Sequence, residues 1–268
     1  MPTEENRSPS LAGRRIVVTR TRDQASELSE KLRALGAEVL ELPVLKISKE
    51  ITKQTEADVM LEFGRYDWLV FTSGNGVRYF FEEFLRLFDD IRSLGLVRIA
   101  AIGDGTARRL AELHLRIEVQ PKTATAGALA DAMIETGSLD SGQVLVITGN
   151  LNRDELVEKL EGARAIVDRF QVYKTESVDL TNDPAAAEFR ARGADAILFA
   201  SSSSAEFFAA QSNVLALAPG ATKPLAGSIG PQTSATMKRV GIAVDFAAVT
   251  PGLDELIAAL AKKLGSRL

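Results

Sequence analysis

The 268-residue chain has no cysteine, one histidine and one tryptophan. Without thiols, disulfides, thiolate nucleophiles and cysteine-bound metals are excluded. The single histidine, His114, cannot build a multi-histidine metal centre, so carboxylates would have to hold any metal and none is expected. His114 lies near the end of a predicted helix, far along the chain from the run Ser201-Ser202-Ser203-Ser204, so no base is placed beside a serine nucleophile. It is read as structural or solvent-exposed. There is no G-x-x-x-x-G-K-[ST] phosphate loop, and Gly103-Asp104-Gly105-Thr106 has Arg108 where G-x-G-x-x-G needs its third glycine. No apolar run is long enough to cross a bilayer. The opening, Met1-Pro2-Thr3-Glu4-Glu5-Asn6, is polar and acidic rather than signal-like, and a cytoplasmic location is expected. The 32 basic and 36 acidic residues are intermixed and leave a net charge of −4, which argues against a nucleic-acid-binding face.

What the chain does contain is an internal repeat. Asp67-Trp68-Leu69-Val70-Phe71-Thr72-Ser73 recurs as Asp195-Ala196-Ile197-Leu198-Phe199-Ala200-Ser201, an offset of 128. Ile102-Gly103-Asp104-Gly105-Thr106 is answered by Ile229-Gly230-Pro231-Gln232-Thr233, and Val17-Val18-Thr19 by Val146-Ile147-Thr148. A period this long means two half-molecules rather than a solenoid. It suits two ordinary domains, and the 46% hydrophobic content is enough to give each a core. Two similar halves imply a cleft, with the hydroxyl-bearing turns as candidates to line it.

Periodicity predicts strands over 15–19, 38–42, 67–71, 97–102, 116–119, 143–148, 164–168, 195–199, 225–229 and 242–245. Helical spacing starts with Ala25, Leu28, Leu32 and Leu35, stopped by Gly36, and recurs over 75–88, 104–113, 125–136, 151–161, 202–210, 231–240 and 252–264. Residues 43–47 read as extended, with Pro43 unsuited to a central strand, and 170–175 form an alternating extended segment around Tyr173. Alternating β and α segments imply an α/β protein with parallel sheets covered on both faces.

Ligands of open α/β sheets bind at the carboxyl ends of the strands. That rule selects the turns after Thr19, Phe71, Ile102, Thr148, Phe199 and Ile229, among them Thr72-Ser73-Gly74-Asn75, Gly103 to Thr106, Ser201 to Ser204 and Gly230 to Thr233. Backbone N–H groups and hydroxyls at helix starts suit an anion. The serine run is read as helix capping with added ligand contact. Thr106 and Thr233 divide about evenly between capping and function. Tyr173, one of three tyrosines, either packs at a surface or offers a phenol as donor or general acid. Arg20, Arg22, Arg153 and Lys174 could pair with ligand carboxylates, with solvation the default.

Val17-Val18-Thr19-Arg20, Phe71-Thr72-Ser73-Gly74-Asn75-Gly76-Val77, Val172-Tyr173-Lys174-Thr175 and Ile229-Gly230-Pro231-Gln232-Thr233 together resemble the uroporphyrinogen-III synthase family. The resemblance runs from Gly13 to Leu264. It implies two flavodoxin-like parallel-sheet domains joined by a two-stranded β-ladder. One domain would take residues 1–42 and 177–268, the other 49–168, with 43–48 and 169–176 as the ladder. The implied reaction cyclises hydroxymethylbilane, a linear tetrapyrrole with eight carboxylates, to uroporphyrinogen III. Ring D is inverted through a spirocyclic intermediate, water is lost, and neither metal nor organic cofactor takes part.

By the same resemblance Tyr173 is the candidate general acid. Arg20, Thr72, Ser73, Asn75, Gly103, Thr106, Ser201, Ser202, Gly230 and Thr233 are the candidate substrate-binding residues. The expected protein is a monomer, with room for transient contact with the enzyme that makes the bilane. Thr21 replaces a frequent proline of the family, and His114 a frequent helix-ending glycine. The turn from Thr148 to Arg153 matches only loosely and gives no ground for a role for Arg153. The rival reading is a two-domain α/β binding or sensor protein for a small anion, without catalysis.

Overall fold

Four-residue strands with every side chain buried set the architecture, because both faces of each sheet carry helices. The computed structural model describes residues 11–19, 22–152 and 154–265, leaving aside the side chains of 22–26. In chain order it opens with β1 Arg15–Val18, α1 Arg22–Ala34, β2 Glu38–Glu41, β3 Leu45–Lys49 and α2 Lys53–Leu61. Then come β4 Trp68–Phe71, α3 Gly74–Phe88, β5 Arg98–Ala101, α4 Asp104–Glu112 and α5 Ala126–Ile134. β6 Gln143–Gly149, α6 Glu155–Gly162, β7 Ile166–Ser177 and α7 Pro184–Arg192 follow. The chain closes with β8 Ala196–Phe199, α8 Ser202–Ala210, β9 Leu225–Ser228, α9 Pro231–Arg239, β10 Phe246–Ala247 and α10 Leu253–Gly265.

The chain divides into two compact units, one up to Lys46 and again from Glu176, the other Ile47–Thr175. The first has a five-stranded sheet of order β10-β9-β8-β1-β2, with every described pairing parallel. Counting strands within the unit, this is the doubly wound order 2-1-3-4-5. One face packs Ile16, Val18, Ala196 and Leu198 on Leu28 and Leu32 of α1 and Leu256 and Leu260 of α10. Elsewhere in the unit Phe208 meets Phe199 and Phe189 edge-on.

The second unit has the order β3-β7-β6-β4-β5. From β7 to β5 it repeats the first sheet from β2 to β9, and Ala100↔Val119 stands as an isolated bridge where β10 would be. Alternation along β4 sorts the core. Leu69 and Phe71 join Phe80, Phe81 and Phe84 of α3, while Trp68 and Val70 join Leu129 and Met133 of α5 and Leu156 and Leu160 of α6.

Several expectations change. Residues 116–119 supply a single bridge at Val119, since only Ala100 offers a partner. The expected strand 164–168 and the extended segment after it are one twelve-residue strand, β7. The last strand sits at Phe246–Ala247, paired with Gly227 and Ser228 rather than over 242–245. α6 starts at Glu155, because Asn150 and Asn152 use their side chains in the preceding turn. α2 and α7 were not singled out, although Thr52 caps the first and Asp183-Pro184 opens the second. Among the described residues no helix is long and apolar enough to cross a membrane.

Tyr66, buried in the α3-side core, donates its hydroxyl to Asp168 at 2.8 Å. Burial first, and that bond second, push its phenol up to about 12, above the ordinary value of about 10. Because the folded value is raised, the stabilisation is whole below pH ~10 and is lost as the pH rises towards 12. Tyr66→Phe should therefore flatten the fall in denaturant midpoint between those limits.

Candidate functional site

In the second unit β4 and β6 lie side by side, parallel and in register from Trp68↔Val144 to Phe71↔Ile147. Their carboxyl ends bring together turns that are far apart in the chain. Thr72 donates its hydroxyl to the Ile147 carbonyl at 3.3 Å and accepts from the Asn152 side chain at 3.2 Å. Ser73 is the N-cap of α3, its Oγ accepting from the Gly76 N–H at 3.0 Å. That oxygen is also hydrogen-bonded at 3.0 Å to the Tyr173 hydroxyl, 100 residues away. Tyr173 is only 8% exposed. Burial raises its phenol above the ordinary range, partly offset by the Ser73 bond. A phenol holds its proton at neutral pH in any case, as a proton donor must.

Gly103 is the N-cap of α4, at φ 77°, the left-handed region that favours glycine. Thr106 occupies the third position of that helix, and Thr233 the third position of α9 after Gly230. Neither threonine caps its helix, contrary to half of the sequence expectation: the caps are glycines, and no side chain takes the role. Both residues are largely buried, at 4% and 5% exposure; neither hydroxyl bonds to another described residue, and neither oxygen is among the fully buried atoms that lack a partner. At helix starts carrying free N–H groups, they are suited to an anionic ligand.

In the first unit Ser201 caps α8, accepting from the Ser204 N–H at 3.1 Å, so the capping half of its reading holds. Ser202 Oγ reaches the Gln232 carbonyl at 3.5 Å, linking the α8 and α9 starts. Gly230 is extended, and its N–H is held by Ser228 Oγ at 3.2 Å, while that hydroxyl donates to the Gly230 carbonyl at 2.7 Å. Asn75 is half-buried in the first turn of α3. Arg20 and Arg153 lie outside the described residues. Lys174 is 3.8 Å from Glu50, so it is not a free cation. His114 is exposed and left-handed, with φ 58°, just past the end of α4, the backbone that a helix-ending glycine adopts.

Sequence reasoning gave no individual role to four contributors. Ser228 clips the Gly230 turn, Asn150 binds the Thr175 backbone, and Gly149 lies under the Tyr173 ring. Arg109, one helical turn beyond Thr106, crosses the start of α3, where a Cβ on Gly74 would fall 3.0 Å from its Cδ. It makes no ion pair among the described residues. Its i+3 spacing from Thr106 was the available signal. Among the described residues no group of three or more His, Asp or Glu could hold a metal.

The model of the family "Uroporphyrinogen-III synthase HemD" matches residues 26–258. The chain belongs to the uroporphyrinogen-III synthase family. It is 28% identical to the uroporphyrinogen-III synthase of Synechococcus elongatus over 93% of this chain and 95% of that one. A 169-residue segment, 63% of this chain, is 28% identical to the porphyrin biosynthesis protein HemD of Ruminiclostridium josui but spans only 33% of that longer protein. The fold is similar to a crystal structure of a mutant uroporphyrinogen III synthase from Thermus thermophilus, with a TM-score of 0.64 at 20% identity, covering 94% of this chain and 99% of that one.

The two kinds of hydroxyl should separate under substitution. Ser73→Ala and Ser201→Ala remove caps and should each cost about 1 kcal/mol of stability in denaturant unfolding. Thr106→Val and Thr233→Val remove no bond within the protein and should leave stability nearly unchanged. A lost hydrogen bond to a charged ligand, worth about 1.5–3 kcal/mol, would weaken substrate binding by roughly tenfold to a hundredfold.

Proposed function

We propose that this chain closes hydroxymethylbilane into uroporphyrinogen III, inverting ring D and releasing water. In this reading it is a lyase, working as a monomer in the cytoplasm without metal or organic cofactor. The observation that carries the reading, beyond family membership, is the pair Thr106 and Thr233 at matching helix starts, whose hydroxyls bond to no other described residue. A substrate bearing eight carboxylates needs many donors, and here they are neutral hydroxyls and backbone N–H groups. Such donors hold an anion without the rigid charge pairing that would lock a flexible chain in one pose. Arg109 adds one charged contact beside the α3 start.

Electron-rich pyrroles supply much of the reactivity themselves. The protein must instead control which carbon of ring D meets the other end of the chain, a matter of orientation more than of acid–base strength. Tyr173 has the one role with proton traffic. Its phenol stays protonated at neutral pH and gives its proton to the departing hydroxyl, which leaves as water. Ser73, hydrogen-bonded to that phenol, steadies the oxygen as the proton moves.

Incubating the purified chain with hydroxymethylbilane and resolving the oxidised products should give isomer III; isomer I alone would overturn the proposal. Tyr173→Phe should lower kcat by about tenfold or more with little change in KM. An unchanged kcat would remove Tyr173 from the chemistry and leave the reaction standing.

A further inference from the structure

The Tyr173 ring reaches Ser73 through an irregularity that no motif announces. Strands β6 and β7 run in step from Gln143↔Ile166 to Thr148↔Gln171, and the next pair is Gly149↔Tyr173. At that point β7 carries one residue, Val172, that β6 does not match. An extra residue breaks the alternation of faces, as bulges do. Consecutive side chains, Val172 and Tyr173, accordingly both enter the core on the α3 side, where strict alternation would have sent one of them away.

Once turned, the ring lies across the end of β6. A Cβ on Gly149 would sit 2.4 Å from both Cε2 and Cζ of Tyr173 and 2.8 Å from its hydroxyl oxygen. Carbon contacts need about 3.5–4.0 Å, so any side chain there evicts the ring. The Tyr79 ring stacks on it, with centroids 6.2 Å apart and planes 26° apart. Just beyond, the Asn150 side chain accepts from the Thr175 N–H at 2.8 Å and donates to the Thr175 carbonyl at 3.1 Å. This amide takes the place of a strand neighbour and clips β7 two residues past the tyrosine.

We propose that Gly149 and Asn150 are positioning residues for Tyr173: the first leaves the space its ring occupies, the second holds the bulged strand that aims it at Ser73. The proposal rests on the acid role of Tyr173 given above. Neither residue is assigned a contact with substrate. Their effect on the reaction passes through the tyrosine.

The test is a pair of mutant cycles with a spectroscopic check. Gly149→Ala and Asn150→Ala should each lower kcat by about tenfold, the size of the loss in Tyr173→Phe, with KM changed less than about twofold. In a protein already carrying Tyr173→Ala, neither change should lower kcat further. NMR of tyrosine-labelled protein at neutral pH should show the Tyr173 signal, identified by its absence in Tyr173→Phe, move in Gly149→Ala as the ring leaves the Tyr79 stack. Losses that multiply with that of Tyr173→Ala, a wild-type kcat in either folded variant, or an unmoved Tyr173 signal would overturn the proposal. If Gly149→Ala does not fold, Asn150→Ala, which adds no atoms, decides the matter by the same cycle. A wild-type chain that yields no isomer III would overturn the reaction instead, and the tyrosine signal would still report whether Gly149 places the ring.

Discussion

Both sheets are sealed on their two faces by helices, and this constrains everything else. Phe71, Val18 and Leu198 have no exposed surface, so polar chemistry is driven to the strand ends. There the backbone turns into helices and leaves N–H groups unpaired. The candidate residues lie at the loop ends because burial leaves the strands no polar surface.

The hydroxyls at those ends divide by function in a way their motifs conceal. Ser73 and Ser201 occupy matching positions in the repeat and do matching structural work, each accepting from the N–H three residues on. Thr106 and Thr233 also match, yet neither is used by its own helix. The repeat thus duplicated together a cap and a hydroxyl that takes no part in capping. Around them stand residues whose only task is to hold the turns: Ser228 under Gly230, Asn152 on Thr72, and Asn150 along the end of β7.

At Tyr173, the proposed acid, three independent features converge. The ring is buried, which raises the phenol above its ordinary range. A serine lies within hydrogen-bond distance, and the neighbouring strand ends in a residue without a side chain. An acid that assists one departure needs no unusual strength, but it does need a fixed place. The surroundings of Tyr173 supply that more than they alter its proton affinity.

Sequence alone was enough for what depends on near neighbours. Apolar runs such as Trp68-Leu69-Val70-Phe71 marked buried strands, and hydroxyls after them marked helix starts, because strand and cap propensities act within a few residues. The repeat and the motifs also pointed to the family. Tertiary structure decided what depends on distant partners. β1 pairs with β8, about 180 residues on, and Asp195 binds the Arg15 N–H across that gap, so the sheets do not follow the two sequence copies; the family resemblance implied this crossing, but no local pattern in the chain did. The extra residue in β7, the empty place over Gly149 and the idle hydroxyls of Thr106 and Thr233 are likewise invisible in the chain. Each is set by how one segment meets another, and local pattern carries no record of that register.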